Sequence, residues 1–151
     1  MASFSTEKEP GCVLCKAFES NNDEESLVVY RGESAFVIMN RFPYNSGHLM
    51  IVPKRHTSDF QSLTPAEGAE CFDLLKRAEL ALIHLSKPQA FNLGMNLGRV
   101  AGAGIDDHLH WHIVPRWNGD TNFLPVLAEV KVVSEEMHAQ WRRLRELFAG
   151  A

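Results

Sequence analysis

A chain of 151 residues, 45% of them hydrophobic and 23% charged, is long enough to bury its own core as one domain. Its formal net charge of -4 gives no electrostatic reason to expect a nucleic-acid duplex as partner, although a local pocket can still take nucleotide phosphates. No apolar run reaches the roughly 18 residues that span a bilayer, and the opening MASFSTEKEPG lacks the basic-then-apolar order of a secretory signal, so a cytoplasmic protein without a membrane segment is expected. Three cysteines, two of them spaced as Cys12-x-x-Cys15, do not make a disulfide framework. In a reducing compartment that pair reads as thiols or metal ligands, while Cys71 falls in a helical pattern and reads as packing.

The polar opening ends at a Pro10-Gly11 break, which predicts a flexible tail over 1-11 and a single domain over 12-151. The acidic NNDEE, Asn21 to Glu25, reads as a turn. Two β-rich runs follow, Leu27 to Tyr30 and Ala35 to Met39, and the turn-prone Arg31-Gly32-Glu33 between them predicts a hairpin. A loop with Pro43, Asn45, Ser46 and Gly47 leads into a third run, His48 to Val52, closed by Pro53. Thr64-Pro65-Ala66-Glu67 announces a helix, with a cap, a proline at the first position and a capping-box glutamate. Phe72, Leu75, Ala78 and Leu82 give it an apolar face, and Lys87-Pro88 ends it. Phe91 to Asn96 alternates as a fourth strand. The connection GRVAGAGIDD, Gly98 to Asp107, carries glycines at 102 and 104 whose backbone can approach a ligand closely.

The fifth strand is predicted over Asp107 to Trp117, DHLHWHIVPRW, in which His108, His110 and His112 alternate with Leu109, Trp111 and Ile113. Residues two apart on a strand share a face, so the imidazoles form a row with roughly 7 Å between successive Cα atoms while the apolar residues face a core. Arg116 to Pro125 reads as a loop, and Ser134 caps a last helix with Met137, Trp141, Leu144 and Phe148 on one face. Strands, a helix, more strands and a final helix predict an α+β fold with a five-stranded antiparallel sheet and two main helices.

Three imidazoles in register are difficult to explain as packing, because each neutral ring requires a polar partner. Zinc ligation and nucleophilic catalysis both remain open as uses for them. On an extended strand the outer pair lie roughly 13 to 14 Å apart at Cα, which makes it hard for one metal to collect all three. His110, flanked on its own face, suits attack on an electrophile.

The segment HLHWHIV, with FVIMNRFPYNSGHLMIVPKRH, FNLGMNLG and VPRW, resembles the histidine triad (HIT) superfamily over most of Cys12 to Pro125. The resemblance implies a HIT-like α+β domain, paired as a homodimer, that binds nucleotides and acts at an α-phosphate through a covalent nucleotidyl-histidine. Carried over residue by residue, it makes His110 the nucleophile and puts His108 and His112 on the flanking catalytic positions. Asn40 takes a nucleoside-contacting position of the fragile-histidine-triad branch, His48 a phosphate-proximal one, and Asn96 the place of a glutamine near the phosphates; the small-residue loop contributes Gly102 and Gly104. It further implies a structural zinc on Cys12, Cys15, His56 and His108, and no organic cofactor.

Where many hydrolases of the superfamily carry Ala-Gly-Gln, this chain has Ala101-Gly102-Ala103-Gly104-Ile105. The stretch AGAGIDDHLHWHIVPRWNGDTNFLPV is similar instead to the bacterial branch described as diadenosine tetraphosphate phosphorylases. The retained third histidine disfavours transfer between sugar phosphates. A hydrolase of nucleoside phosphoramidates or adenylyl conjugates is the second enzymatic expectation, and a nucleotide-binding partner protein without significant turnover is the one from another class. Lys54, Arg55, Arg99 and Arg116 read as solvated loop cations, and His84 and His138 as surface residues. Asp106 and Asp107 either orient a histidine or end a turn, and Trp117, Asn118 and Phe123 cover a substrate or meet a second copy.

Overall fold

The computed structural model describes residues 11-41, 43, 46-102, 108-120 and 135-150. The expectations for the tail over 1-10 and for Gly104, Asp106, Asp107, Phe123 and Ser134 fall outside those residues. Five strands, β1 (Val28–Arg31), β2 (Ala35–Met39), β3 (Leu49–Pro53), β4 (Ala90–Gly94) and β5 (Trp111–Arg116), make one sheet in the order β1-β2-β3-β5-β4. Every neighbouring pair is antiparallel, so the expected α+β architecture is the observed one. The central strands β2 and β3 are buried along their whole length, which accounts for their unbroken apolar runs.

Register across the sheet places the chemistry. Ile38 pairs with Met50, Met50 with His112, and His112 with Gly94, so these four residues form one row and share one face. The next row, Met39, Leu49, Ile113 and Leu93, points the other way.

The long helix α3 (Pro65–Ser86) starts as its sequence predicts. The Thr64 hydroxyl accepts from the Glu67 amide, Glu67 reaches back to the Thr64 amide, and Pro65 holds the first position. Its end is Lys87, in the left-handed region at φ 52° with its N–H bonded to the Ile83 carbonyl, and Pro88 cannot continue the helix. The buried stripe is Cys71, Leu74, Leu75, Ala78, Ala81 and Leu82, and it packs against β2, β3 and β5. Phe72 departs from expectation. It lies about 100° around the helix from Cys71 and is 66% exposed. Leu75, Ala78 and Leu82 keep their inward places.

Helix α4 (Glu135–Ala149) buries Leu144 and Phe148 and leans on α3 and β1. Met137 and Trp141 pack partly buried against the same core, and the Trp141 indole N–H donates to the Val28 carbonyl at 2.8 Å. Two short helices were not expected. The helix α1 (Val13–Glu19) begins at Cys12, whose sulfur accepts from the Cys15 amide; α2 (Asp23–Ser26) is a single turn capped by Asn22, where the sequence reads as a turn. Neither is long enough to show helical periodicity, so capping alone marks them. No described helix is long and apolar enough to cross a membrane.

Gly47 fixes the entry into β3 and so the place of His48. Its φ is +87°, and a Cβ there would meet Leu82 Cδ2 at 3.1 Å and Pro115 Cγ at 3.4 Å. Gly47→Ala is expected to lower stability by about 1–2 kcal/mol or more, read as a lower urea midpoint at unchanged slope; an unchanged midpoint would show that this turn tolerates a side chain.

Candidate functional site

The histidines do not form the even row that alternation predicts. The ladder between β3 and β5 begins at the pair Ile51 and Trp111, so His112 alone of the three stands on the strand. Ahead of it, the Leu109 amide bonds to the Thr57 carbonyl at 2.9 Å, and His108 to His110 run beside the segment that follows β3. Three rings on one polypeptide stretch therefore enter different surroundings. Leu109 and Ile113 are buried as expected, whereas Trp111 is only partly so.

The His108 and His110 side chains lie deep, at 1% and 6% exposure. His110 Nδ1 is 2.9 Å from the main-chain oxygen of His108. A carbonyl only accepts, so Nδ1 carries the proton and Nε2 keeps its lone pair. On the other side of the site Asn40 Nδ2 lies 3.4 Å from His48 Nδ1, and His48 Nε2 lies 2.8 Å from His112 Nδ1. With the Asn40 amide donating, His48 accepts at Nδ1 and donates from Nε2, and His112, accepting at Nδ1, holds its proton on Nε2. The His110 and His112 rings are 4.8 Å apart between centroids and nearly perpendicular. Neighbouring rings thus present opposite functions, a lone pair on His110 and an N–H on His112.

Burial makes these imidazoles neutral near pH 7. His48 is pushed down to about 3 by burial and then by the facing charges of His112 and His110. His112 is lowered to about 4 by burial and by His110. His110 is lowered as well, by burial, partly offset by its bond to the His108 carbonyl.

His108 turns away from the other two. Its Nε2 lies 2.8 Å from the Pro53 carbonyl, which assigns the proton to Nε2 and leaves the lone pair on Nδ1. That Nδ1 is 3.4 Å from Cys12 Sγ, 3.5 Å from Cys15 Sγ and 3.3 Å from His56 Nδ1, and Cys15 Sγ is 3.3 Å from His56 Nδ1. All four side chains are buried and their ligand atoms lie within 4.8 Å of one another. Around tetrahedral zinc the ligand atoms are spaced about 3.3 Å between nitrogens and about 3.6 Å between nitrogen and sulfur. The group therefore has the size, donor set and tautomer of a metal site, with the Pro53 carbonyl orienting one ligand from outside. Burial also holds His108 down, to about 4, against the Pro53 bond that raises it.

Asn96 lies beyond the end of β4, and its amide donates to the Gly102 carbonyl at 3.3 Å. It braces the turn that carries Gly102, whose φ is +96°. The loop cations are engaged elsewhere: Arg55 pairs with Glu67 at 2.8 Å, Arg116 with Asp120 at 2.9 Å, and Lys54 sits over the Phe18 ring. His84 is exposed and His138 partly so. Sequence reasoning missed the carbonyls of Pro53 and of His108 itself, which no residue type announces. The last helix was expected but not its part in the site: Glu136, Met137 and Gln140 of α4 face Asn40 and His48 across a cavity of about 220 Å³, and the two walls are nearly a hundred positions apart in the chain.

A five-stranded antiparallel sheet carrying a buried imidazole group beside a Cys2His2 cluster defines a class of small α+β protein with a histidine centre. The HIT domain model matches residues 21–119, and the chain belongs to the HIT family. Over 114 residues it is 44% identical to a Mycobacterium tuberculosis protein named AP-4-A phosphorylase, a match covering 76% of this chain but 58% of that protein, less than two thirds of the relative's length. It is 33% identical over 122 residues to an uncharacterized HIT-like protein of Methanocaldococcus jannaschii, covering 81% of this chain and 91% of that one. Among solved structures, a Zn-bound histidine triad family protein from Mycobacterium smegmatis superposes with a TM-score of 0.71 at 25% identity, over 93% of this chain and 94% of the other.

The depressed values of His48 and His112 carry a stability consequence. Folded-state pKa values of about 3 and about 4 lie below the ordinary 6.5, so as pH falls the unfolded chain takes up protons first. Their full stabilising contribution is present above pH 6.5 and is lost progressively as pH falls toward 4. Urea unfolding is expected to show stability dropping across that window with a slope of about 1.4 kcal/mol per pH unit for each proton taken up; a flat profile there would contradict the burial of the pair.

Proposed function

We propose that this HIT protein cleaves dinucleoside polyphosphates at the α-phosphate through a covalent nucleotidyl-histidine on His110, with inorganic phosphate as the acceptor that resolves it. The observation that carries the reading is the pair of opposite tautomers. The Nδ1–H of His110 is held by the His108 carbonyl, so its Nε2 lone pair attacks phosphorus and the bond to the leaving polyphosphate oxygen breaks. The chain from Asn40 through His48 to His112 presents an N–H that donates to the leaving oxygen. An oxygen of inorganic phosphate then attacks the same phosphorus, the P–N bond breaks, and His110 regains its neutral form.

Binding of the nucleotide falls to Asn40, His48, Asn96, Gly102 and Gly104, the last outside the described residues, and residues 12-151 form one HIT domain. Support for the substrate class comes from the M. tuberculosis relative named AP-4-A phosphorylase. Support for phosphate over water as acceptor comes from the sequence before His108, Ala101-Gly102-Ala103-Gly104-Ile105, which lacks a glutamine.

Cys12, Cys15, His56 and His108 are the residues that hold zinc in this reading. Their fit rests on the His108 tautomer, on the spacing of the four ligand atoms and on the Zn-bound M. smegmatis structure. Bound there, zinc would cross-link the start of α1, the segment after β3 and the segment before β5 through these four side chains.

With diadenosine tetraphosphate, ADP and ATP are expected only when phosphate is added. AMP and ATP without phosphate would replace phosphorolysis by hydrolysis, and two ADP would contradict attack at the α-phosphate. His110→Ala is expected to cut turnover on the order of 10⁴-fold or more while circular dichroism stays unchanged; wild-type rates in that variant would end the proposal.

A homodimer completes the reading. Phe72, Leu80 and Ile83 expose an apolar stripe on α3, and Leu93 is exposed on β4 at the edge of the sheet, a combination that a second copy covers. Sedimentation of the wild type at twice the monomer mass, and of Leu93→Asp at the monomer mass, is expected. A monomeric wild type at micromolar concentration would remove the dimer.

A further inference from the structure

His108 belongs to two groups at once. Its ring enters the Cys12, Cys15 and His56 cluster through Nδ1, while its main-chain oxygen receives the Nδ1–H of His110. Between ring and carbonyl there are only the bonds of one residue. The stretch that carries both histidines precedes the β3–β5 ladder, so sheet hydrogen bonding does not hold its peptide planes. Apart from the cluster itself, two described polar contacts anchor it: the His108 ring on the Pro53 carbonyl, and the Leu109 amide on the Thr57 carbonyl. Both acceptors flank His56, itself a member of the cluster. A neutral hydrogen bond contributes little net of the water it replaces, and thiols returning to their protonated form are weak donors. Without a metal the ring is therefore held far less firmly than with four ligands closed on one ion.

We propose that the Cys12, Cys15, His56 and His108 cluster, when it holds zinc, is a positioning device for the reacting imidazole: by immobilising the His108 ring it fixes the carbonyl that orients His110 and selects its tautomer. Cys12, Cys15 and His56 become positioning residues, acting through His108 without touching substrate. This rests on the reading of His110 as nucleophile. The expected signature differs from that of a staple. A misplacement of about 1 Å at the reacting atom costs on the order of 10²-fold in rate, whereas nucleotide affinity, which in the proposed function draws on Asn40, His48, Asn96 and the glycine loop, stays where it was.

The test compares the full chain loaded with one equivalent of zinc, the same chain stripped with EDTA, and Cys12→Ala/Cys15→Ala. Zinc content, circular dichroism, kcat and KM for diadenosine tetraphosphate with phosphate, and the ring ¹⁵N shifts of labelled histidines are recorded for each. The expected result is a stripped or doubly substituted protein that is folded, with KM within about twofold of the loaded form and kcat lower by roughly 10- to 100-fold. The His110 shifts move from the Nδ1–H form toward a mixture, and added zinc restores the stripped protein but not the variant.

A folded metal-free protein with unchanged kcat and an unchanged His110 tautomer overturns the proposal. So does a chain that folds in no metal-free form, which reduces the cluster to a structural staple, and so does a loaded sample that retains no zinc. Loaded protein without turnover on any phosphate ester counts against the proposed function alone, because the tautomer shift on stripping still decides whether the cluster positions His110.

Discussion

An imidazole taken out of water needs an acceptor for its N–H, and this protein buries His48, His108 and His110 almost completely. The remaining geometry follows from meeting that need. Two main-chain carbonyls, those of Pro53 and His108, accept from His108 and His110, and a side-chain amide starts the line that runs through His48 to His112. Each assignment removes an ambiguity that an exposed histidine would keep. The result is a set of rings near one another that are chemically unequal, with a lone pair on Nε2 of one and an N–H on the next.

The sheet and helices exist, from the site's point of view, to hold those partners still. Antiparallel register sets His112 beside Met50 and Gly94, where the small residue leaves room on the open face. Gly47 admits the sharp entry that places His48, and Leu82 of α3 closes behind it. The capping box does more than begin a helix: Glu67 also binds Arg55, the residue next to His56, and so ties the start of α3 to the arm that carries part of the Cys2His2 cluster.

Charge is handled sparingly. Arg55 and Arg116 are each paired with a carboxylate, and Lys54 rests on an aromatic face, so these loop cations are committed away from the histidines. In the proposed function, the phosphate oxygens are met by oriented N–H donors more than by these cations. Preorganised donors in a dry site are effective toward developing charge because they need no reorganisation at the moment of reaction. Neutral imidazoles, kept neutral by burial, suit that arrangement.

The strands, the capping box of α3 and the burial of α4 were legible because local periodicity and capping chemistry report them directly. So was the cluster of Cys12, Cys15, His56 and His108, though only through a family pattern, since the four residues come from three separate stretches. Phe72 was misjudged because one position on a helix is 100° of rotation, and an apolar residue at the margin of a stripe looks the same in sequence as one at its centre. The row of histidines was misjudged for a deeper reason. Alternation by itself determined that polar rings and apolar side chains would separate. It did not determine where the ladder would start, because that depends on how far β3 extends as a partner and on the Thr57 carbonyl that takes the Leu109 amide. Sequence named the imidazoles; only the tertiary structure, by supplying distant carbonyls and an amide to their buried nitrogens, decided which ring keeps a lone pair and which keeps a proton.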